Sequence, residues 1–244
     1  MIDIHCHILP GIDDGAQTLK NALELAKAAV ENGITHAVCT PHIHFGRYDN
    51  TAHTITLACE NLKRTLNDHN INLVISSAAE VRFDVEIISA IERGDIPFLG
   101  DWYGERVLLL EFPHGAFPLG VAKLTRWLLD HGIRPMIAHP ERNKSFLERP
   151  EQLAPLLEQG CLLQVTAASL TGNFGPKAEK MALSLISDGL ATVVATDSHH
   201  TKRRPPLLRQ AYDIVCKHEG YATAQALMVS NPWEITKSHF ATTA

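Results

Sequence analysis

The feature that most limits how this chain can fold is a sevenfold alternation. Short apolar runs at residues 1–4, 34–39, 72–79, 106–110, 133–138, 161–166 and 190–196 are separated by stretches with apolar side chains at helical spacing. Runs of that length, apolar throughout, suit strands buried on both faces, and strands that alternate with helices make a parallel sheet. The intervening pattern predicts helices over 18–33, 51–70, 84–93, 118–131, 151–159 and 175–188, with Gly33 and Gly132 as stop signals. From about 206 onward it predicts two or three more, the last opened by Asn231-Pro232-Trp233. No linker, low-complexity segment or shift in composition interrupts the 244 residues, so a single domain over 1–244 is expected. The fold class is α/β, and one closed or nearly closed barrel is favoured. The period alone leaves an open, doubly wound sheet standing.

Composition narrows the function classes. A hydrophobic fraction of 45% supplies a sizeable core, and a net charge of -5 does not suggest a nucleic-acid surface. No run reaches the length of a membrane span, and no charged region followed by a long apolar stretch marks a signal peptide, so no membrane insertion is expected. Cys6, Cys39, Cys59, Cys161 and Cys216 form no C-x-x-C pair; an odd, scattered set fits reduced thiols and a cytoplasmic location.

The anomaly is the 14 histidines and where they fall. The opening MIDIHCHILPGIDDG sets His5 and His7 two apart on a strand, hence on one face, with Cys6 on the other, and runs on to Asp13-Asp14-Gly15. His42, Glu80, Glu111, His139, Asp197 and His199 also fall at the C-terminal ends of expected strands. In an α/β barrel those ends converge on one mouth. A single Glu or His ending a strand is ordinarily a solvated loop residue, but six strands would each have to repeat that accident. Mixed imidazole and carboxylate donors suit Mn, Fe or Zn, and eight or so ligands exceed the needs of one ion, so two or three divalent ions are expected. Arg142 and Arg204 lie in the loops after ligand positions, and guanidinium suits bidentate contact with phosphate. A surface ion pair is the plain alternative for either arginine.

These stretches resemble a known family. DIHCHILPGIDDG, TPHIHFGRYDN, the Glu80 and Glu111 strand ends, AHPER and DSHHTKRRPP, in that order from Met1 to about Pro206, are similar to the polymerase and histidinol phosphatase (PHP) superfamily. Within it they look most like the bacterial manganese-dependent protein-tyrosine phosphatases of the CpsB/YwqE type. The resemblance implies a distorted (β/α)7 TIM-like barrel with a trinuclear centre. One ion would be held by His5, His7, Glu80 and Asp197, a second by Glu80, Glu111 and His139, and a third by Asp14, His42 and His199, with Mn as the first expectation. Arg142 and Arg204 would hold the substrate phosphate. The implied activity is hydrolysis of phosphotyrosine in proteins by a metal-bridging hydroxide, on a membrane-anchored bacterial tyrosine kinase that controls capsule or exopolysaccharide synthesis. His200 stands where Asn is expected after D-S-H, and His44 and His114 are extra imidazoles near the mouth.

A cysteine nucleophile in a phosphate loop needs C-x5-R. The residues six on from the five cysteines are Ile12, Phe45, Thr65, Ala167 and Ala222, which excludes that mechanism. Two other readings stand beside the leading one. A histidinol-phosphate-phosphatase-like phosphoesterase would use the same metals on a small molecule, and a non-catalytic module would show missing ligands, of which there are none.

Overall fold

The structure, a computed structural model, describes residues 1–241. The strands among the described residues are β1 (Ile2–Cys6), β2 (His36–Cys39), β3 (His42–Ile43), β4 (Val74–Ser77), β5 (Glu80–Arg82), β6 (Gly100–Trp102), β7 (Glu105–Glu111), β8 (Ile133–Ala138), β9 (Leu162–Thr166) and β10 (Val193–Ala195). Two parallel ladders, β1-β2-β4 and β10-β9-β8-β7-β5-β3, share one cylinder. They join because β2 runs on into β3 across Thr40-Pro41, and β4 into β5 across Ala78-Ala79. The ring shuts where the chain after β10 meets β1: the Asp197 amide donates to His5 O at 2.7 Å and the His7 amide to Ser198 O at 2.9 Å. The alternation has thus produced a closed barrel of seven parallel staves, and the open-sheet alternative is excluded.

Three expectations need correction. The run 72–79 is not one strand ending in Glu80; it breaks at Ala78-Ala79, and Glu80 begins β5. The break occurs where the stave changes neighbours, since β4 pairs with β2 and β5 pairs with β3 and β7. The strand expected over 190–196 shortens to Val193–Ala195. An unexpected short strand, β6, folds back antiparallel on β7 through a turn at Tyr103-Gly104.

Side chains alternate across the staves. Val107, Leu109, Met136, Ala138, Val193 and Ala195 fill the barrel interior, while Leu108, Leu110, Ile137 and Val194 pack outward beneath the helices. Simple alternation from the interior residues Ile2 and Ile4 would turn His5 and His7 outward. A bulge prevents this: from Asp3 to Cys6 the chain advances three residues while β2, from Ala37 to Cys39, advances two. The extra residue re-aims His5 and His7 inward and sends Cys6 to the outer layer, as a β-bulge does near a site.

The far end is sealed by the C-terminal helix Asn231–Phe240, which lies along β4 and β6 and puts Ile235 into the barrel interior. The approach is close: a Cβ on Gly100 would stand 1.9 Å from Ile235 O, so glycine is required there. No helix among the described residues is long and apolar enough to cross a membrane.

Candidate metal and phosphate centre

The C-terminal ends of the staves deliver a dense polar cluster to the mouth. Glu80, fully buried, lies at its middle. Its Oε2 is 3.2 Å from His5 Nε2, 3.3 Å from His7 Nε2 and 3.1 Å from His42 Nδ1, and its Oε1 is 2.8 Å from His139 Nε2. Asp197 Oδ1 stands 3.4 Å from His5 Nε2 and 3.3 Å from His7 Nε2. Asp14 Oδ1 lies 3.3 Å from His42 Nε2 and 3.5 Å from His199 Nε2. Three groups therefore have donor atoms within 4.8 Å of one another: His5, His7, Glu80 and Asp197; His7, Asp14, His42 and His199; His42, Glu80 and Glu111.

The donor set fits cations. Donors around one divalent ion at about 2.0–2.2 Å stand roughly 3.1–3.6 Å apart, the spacing seen here. Glu80 Oε2, Asp197 Oδ1, His42 Nδ1 and His199 Nε2 are buried and have no hydrogen-bond partner, although buried polar atoms are ordinarily satisfied. His5 Nδ1 is 2.8 Å from Gln164 Oε1 and His7 Nδ1 is 2.7 Å from Asp13 Oδ2. Each contact fixes the proton on Nδ1 and leaves the Nε2 lone pair facing the cluster.

The electrostatics agree. Burial raises the pKa of Glu80, but His5, His42 and His139 overcome it and hold the carboxyl well below its ordinary range. Asp197 is likewise held well down, with burial outweighed by Arg204, His5 and Arg142. Burial and the neighbouring His7 push His199 down to about 4, and burial and Arg142 lower His139, so both rings are neutral donors. His5 and His42 are raised despite burial, first by Glu80, and His7 is raised first by Asp13. Carboxylates crowded this way favour positive charge among the imidazoles, and a divalent cation answers that demand.

Two positions hold strained backbone. His139 and Asp197 are non-glycine residues at φ 35 and φ 50, at the ends of β8 and beyond β10. The turn Pro140–Arg142 that follows His139 is anchored by Glu141, whose buried Oε1 accepts from the Thr166 amide at 2.9 Å and Ser169 Oγ at 2.7 Å. That turn carries Arg142 to Asp197 Oδ2 and lays its guanidinium 4.2 Å from the centre of the Phe174 ring. On the other side the chain doubles back, His199 N donating to Arg204 O at 3.0 Å, and returns Arg204 to the same Asp197 Oδ2. One carboxylate thus shows one oxygen to His5, His7 and His199 and the other to two arginines.

All of the residues anticipated from the sequence gather at this mouth, with differences of grouping. Asp14, His42 and His199 stand together as expected but with His7 among them, His42 also stands with Glu80 and Glu111, and His139 meets Glu80 without entering the Glu111 group. His44 and His114 line the cleft, whereas His200 is exposed on the outer turn. Sequence reasoning missed Asp13, Gln164, Arg82, Arg47 and Tyr48. Gln164 had a signal, as the one polar side chain inside the apolar run CLLQV. Arg82, whose Nη1 is 3.0 Å from Glu111 Oε2, had none.

Comparison with known proteins places the chain in a family. The family model described as capsular polysaccharide synthesis, CpsB/CapC, matches residues 1–237. Tyrosine-protein phosphatase YwqE of Bacillus subtilis is 36% identical over 220 residues, 90% of this chain and 85% of that one. Tyrosine-protein phosphatase CpsB of Streptococcus pneumoniae is 31% identical over 241 residues, 96% and 98% of the two chains. A crystal structure from the work on these two proteins, described there as unique metal-dependent tyrosine phosphatases, superposes with a TM-score of 0.85 at 32% identity, covering 98% of this chain and 93% of that one. A phosphotriesterase homology protein from Escherichia coli shares the fold alone, with a TM-score of 0.58 at 12% identity, covering 96% and 98%. With a match from the first residue almost to the last, this chain belongs to the CpsB/CapC capsular polysaccharide synthesis family.

Proposed function

We propose that this protein is a metal-dependent protein-tyrosine phosphatase, a phosphoric-monoester hydrolase acting on phosphotyrosine side chains. The observation that carries the reading is Asp197, set between the imidazole cluster and two arginines. An anion that meets the arginines there also meets the edge of the ligand set. The named activities of the relatives supply the substrate class.

In this reading His5, His7, Glu80 and Asp197, together with Glu111 and His139 and with Asp14, His42 and His199, hold two or three divalent ions, Mn first. Bound there, such ions supply Lewis acidity and a nucleophilic water at neutral pH. The chain's own residues do the rest. Arg142 and Arg204 grip the phosphate oxygens and stabilise the charge that builds on them. Phe174 fixes the Arg142 plane. Gln164 and Asp13 hold the His5 and His7 rings in the donor tautomer. The substrate is a phosphorylated bacterial tyrosine kinase that governs capsule or exopolysaccharide synthesis. Cys6, Cys39, Cys59 and Cys161 are buried, free thiols, consistent with work in the cytoplasm.

The test is turnover of phosphotyrosine, phosphoserine and histidinol phosphate by chelated protein before and after Mn is restored. Phosphotyrosine hydrolysis that vanishes on chelation and returns with Mn is expected. Full activity in verified metal-free protein, or a preference for histidinol phosphate, overturns the reading.

A further inference from the structure

The cleft holds four guanidiniums, and three have a carboxylate neighbour. Arg142 and Arg204 meet Asp197, and Arg82 meets Glu111. Arg47, at the exposed rim, has no carboxylate partner within ion-pair distance among the described residues. It is nonetheless held in place. The loop after β3 is cinched by His44 N to Tyr48 O at 3.0 Å and Tyr48 N to His44 O at 2.8 Å, and Gly46 N donates to Asp49 Oδ1 at 2.7 Å. Asn50 Nδ2 ties the loop base to Ile12 O at 2.9 Å and His42 O at 2.8 Å. Arg47 then lies 5.0 Å from the centre of the Tyr48 ring, which is itself stacked on His42 with centroids 5.7 Å apart.

A cation preorganised over an aromatic face, beside the mouth and without a partner, is built for an anion that arrives from outside. The phosphate itself has Arg142 and Arg204. We propose that Arg47 recognises a second anionic side chain of the substrate, a carboxylate or another phosphate close to the phosphotyrosine, so that the preferred substrate is a phosphotyrosine in acidic sequence. This rests on the phosphatase reading and deepens it. Arg82 adds positive field on the same wall of the cleft, and Arg47 makes the contact.

The experiment measures kcat/KM of the Mn-loaded protein on four phosphotyrosine peptides that differ only beside the phosphotyrosine: Glu, a second phosphotyrosine, Ala or Lys. The readout is each peptide's ratio to the Ala peptide, which cancels any general loss in a variant. Wild type should favour the anionic peptides over the Lys peptide by about three- to ten-fold, less at high salt, as for a partly exposed charge pair. Arg47→Ala should bring the ratios near unity, Arg47→Glu should invert them, and Arg47→Lys should keep part of the preference. The larger anionic ratio identifies carboxylate or phosphate as the source. Turnover without preference in wild type, or a preference that survives Arg47→Glu, overturns this inference and leaves the phosphatase reading intact. If no phosphotyrosine peptide is hydrolysed, that reading fails and takes this one with it.

Discussion

At the scale of single residues, the proposed centre separates groups that would touch an ion from groups that aim them. Asp13 and Gln164 cannot be replaced by solvent, because His5 and His7 are fully buried. Asp13→Asn and Gln164→Ala should each lower metal affinity about 10–100-fold, as loss of a ligand's hydrogen-bond partner does. Calorimetric titration of metal-free protein measures this, and wild-type affinity in both variants would show that the rings hold themselves. The arginines behave differently. They bind Asp197 through Oδ2, whereas His5, His7 and His199 face Oδ1, so removing one arginine leaves that oxygen in place. Arg142→Ala should keep its metal and lose about 2–4 kcal/mol in kcat/KM, with Arg142→Lys recovering part, since a point charge does not reproduce the guanidinium fork. Arg204→Ala should lose less. Metal loss from Arg142→Ala would mean that Arg142 serves to hold Asp197 rather than phosphate.

At the scale of elements, barrel closure depends on Asp3. Its Oδ1 accepts from the Thr196 amide at 2.9 Å and its Oδ2 from Thr196 Oγ1 at 2.5 Å, pinning β1 to the end of β10 where Asp197 follows. Burial raises this carboxyl from 3.8 to about 6. A raised folded pKa means that the folded state holds the proton more tightly than the unfolded one. The associated stability is fully present below 3.8 and is lost as pH rises through about 6. Asp3→Asn keeps a carbonyl oxygen for the amide and can donate to the hydroxyl, and it does not titrate. Denaturant unfolding should therefore show wild type losing about 2 kcal/mol relative to Asp3→Asn between about pH 4 and pH 7; a flat difference would mean that Asp3 ionises freely. This joint also marks the limit of the sequence. The staves and the polar residues at their ends were legible because periodicity and punctuation are local. The bulge that turns His5 and His7 inward was not, since it is defined by the register of β1 against β2. Nor was the break before Glu80, which reflects the partners on either side of the stave. Arg47 reads as an ordinary surface residue until the loop is folded.

At the scale of the whole molecule, the barrel is held from both ends. At the mouth, four carboxylates and five histidines stand close together, and buried donor atoms of Glu80, Asp197, His42 and His199 stay without a hydrogen-bond partner, a cost that a bound cation removes. At the other end, Ile235 plugs the gap where β4 is paired with β2 along one edge only and β6 has folded back on β7. Binding to the folded chain alone adds stability by mass action, about 2.7 kcal/mol at a hundredfold excess over Kd. Ile235→Ala removes a fully buried side chain from the apolar cluster that fills the barrel interior, costing about 2–5 kcal/mol. The two ends share no residue, so the effects should add. Thermal unfolding with and without Mn, in wild type and Ile235→Ala, forms a complete cycle. Mn should raise the unfolding temperature of both, the variant should unfold lower in both conditions, and the Mn increment in free energy should agree within about 0.5 kcal/mol. An increment that shrinks markedly in the variant would show that the plug shapes the mouth, and that the interior of the barrel transmits strain from one end to the other.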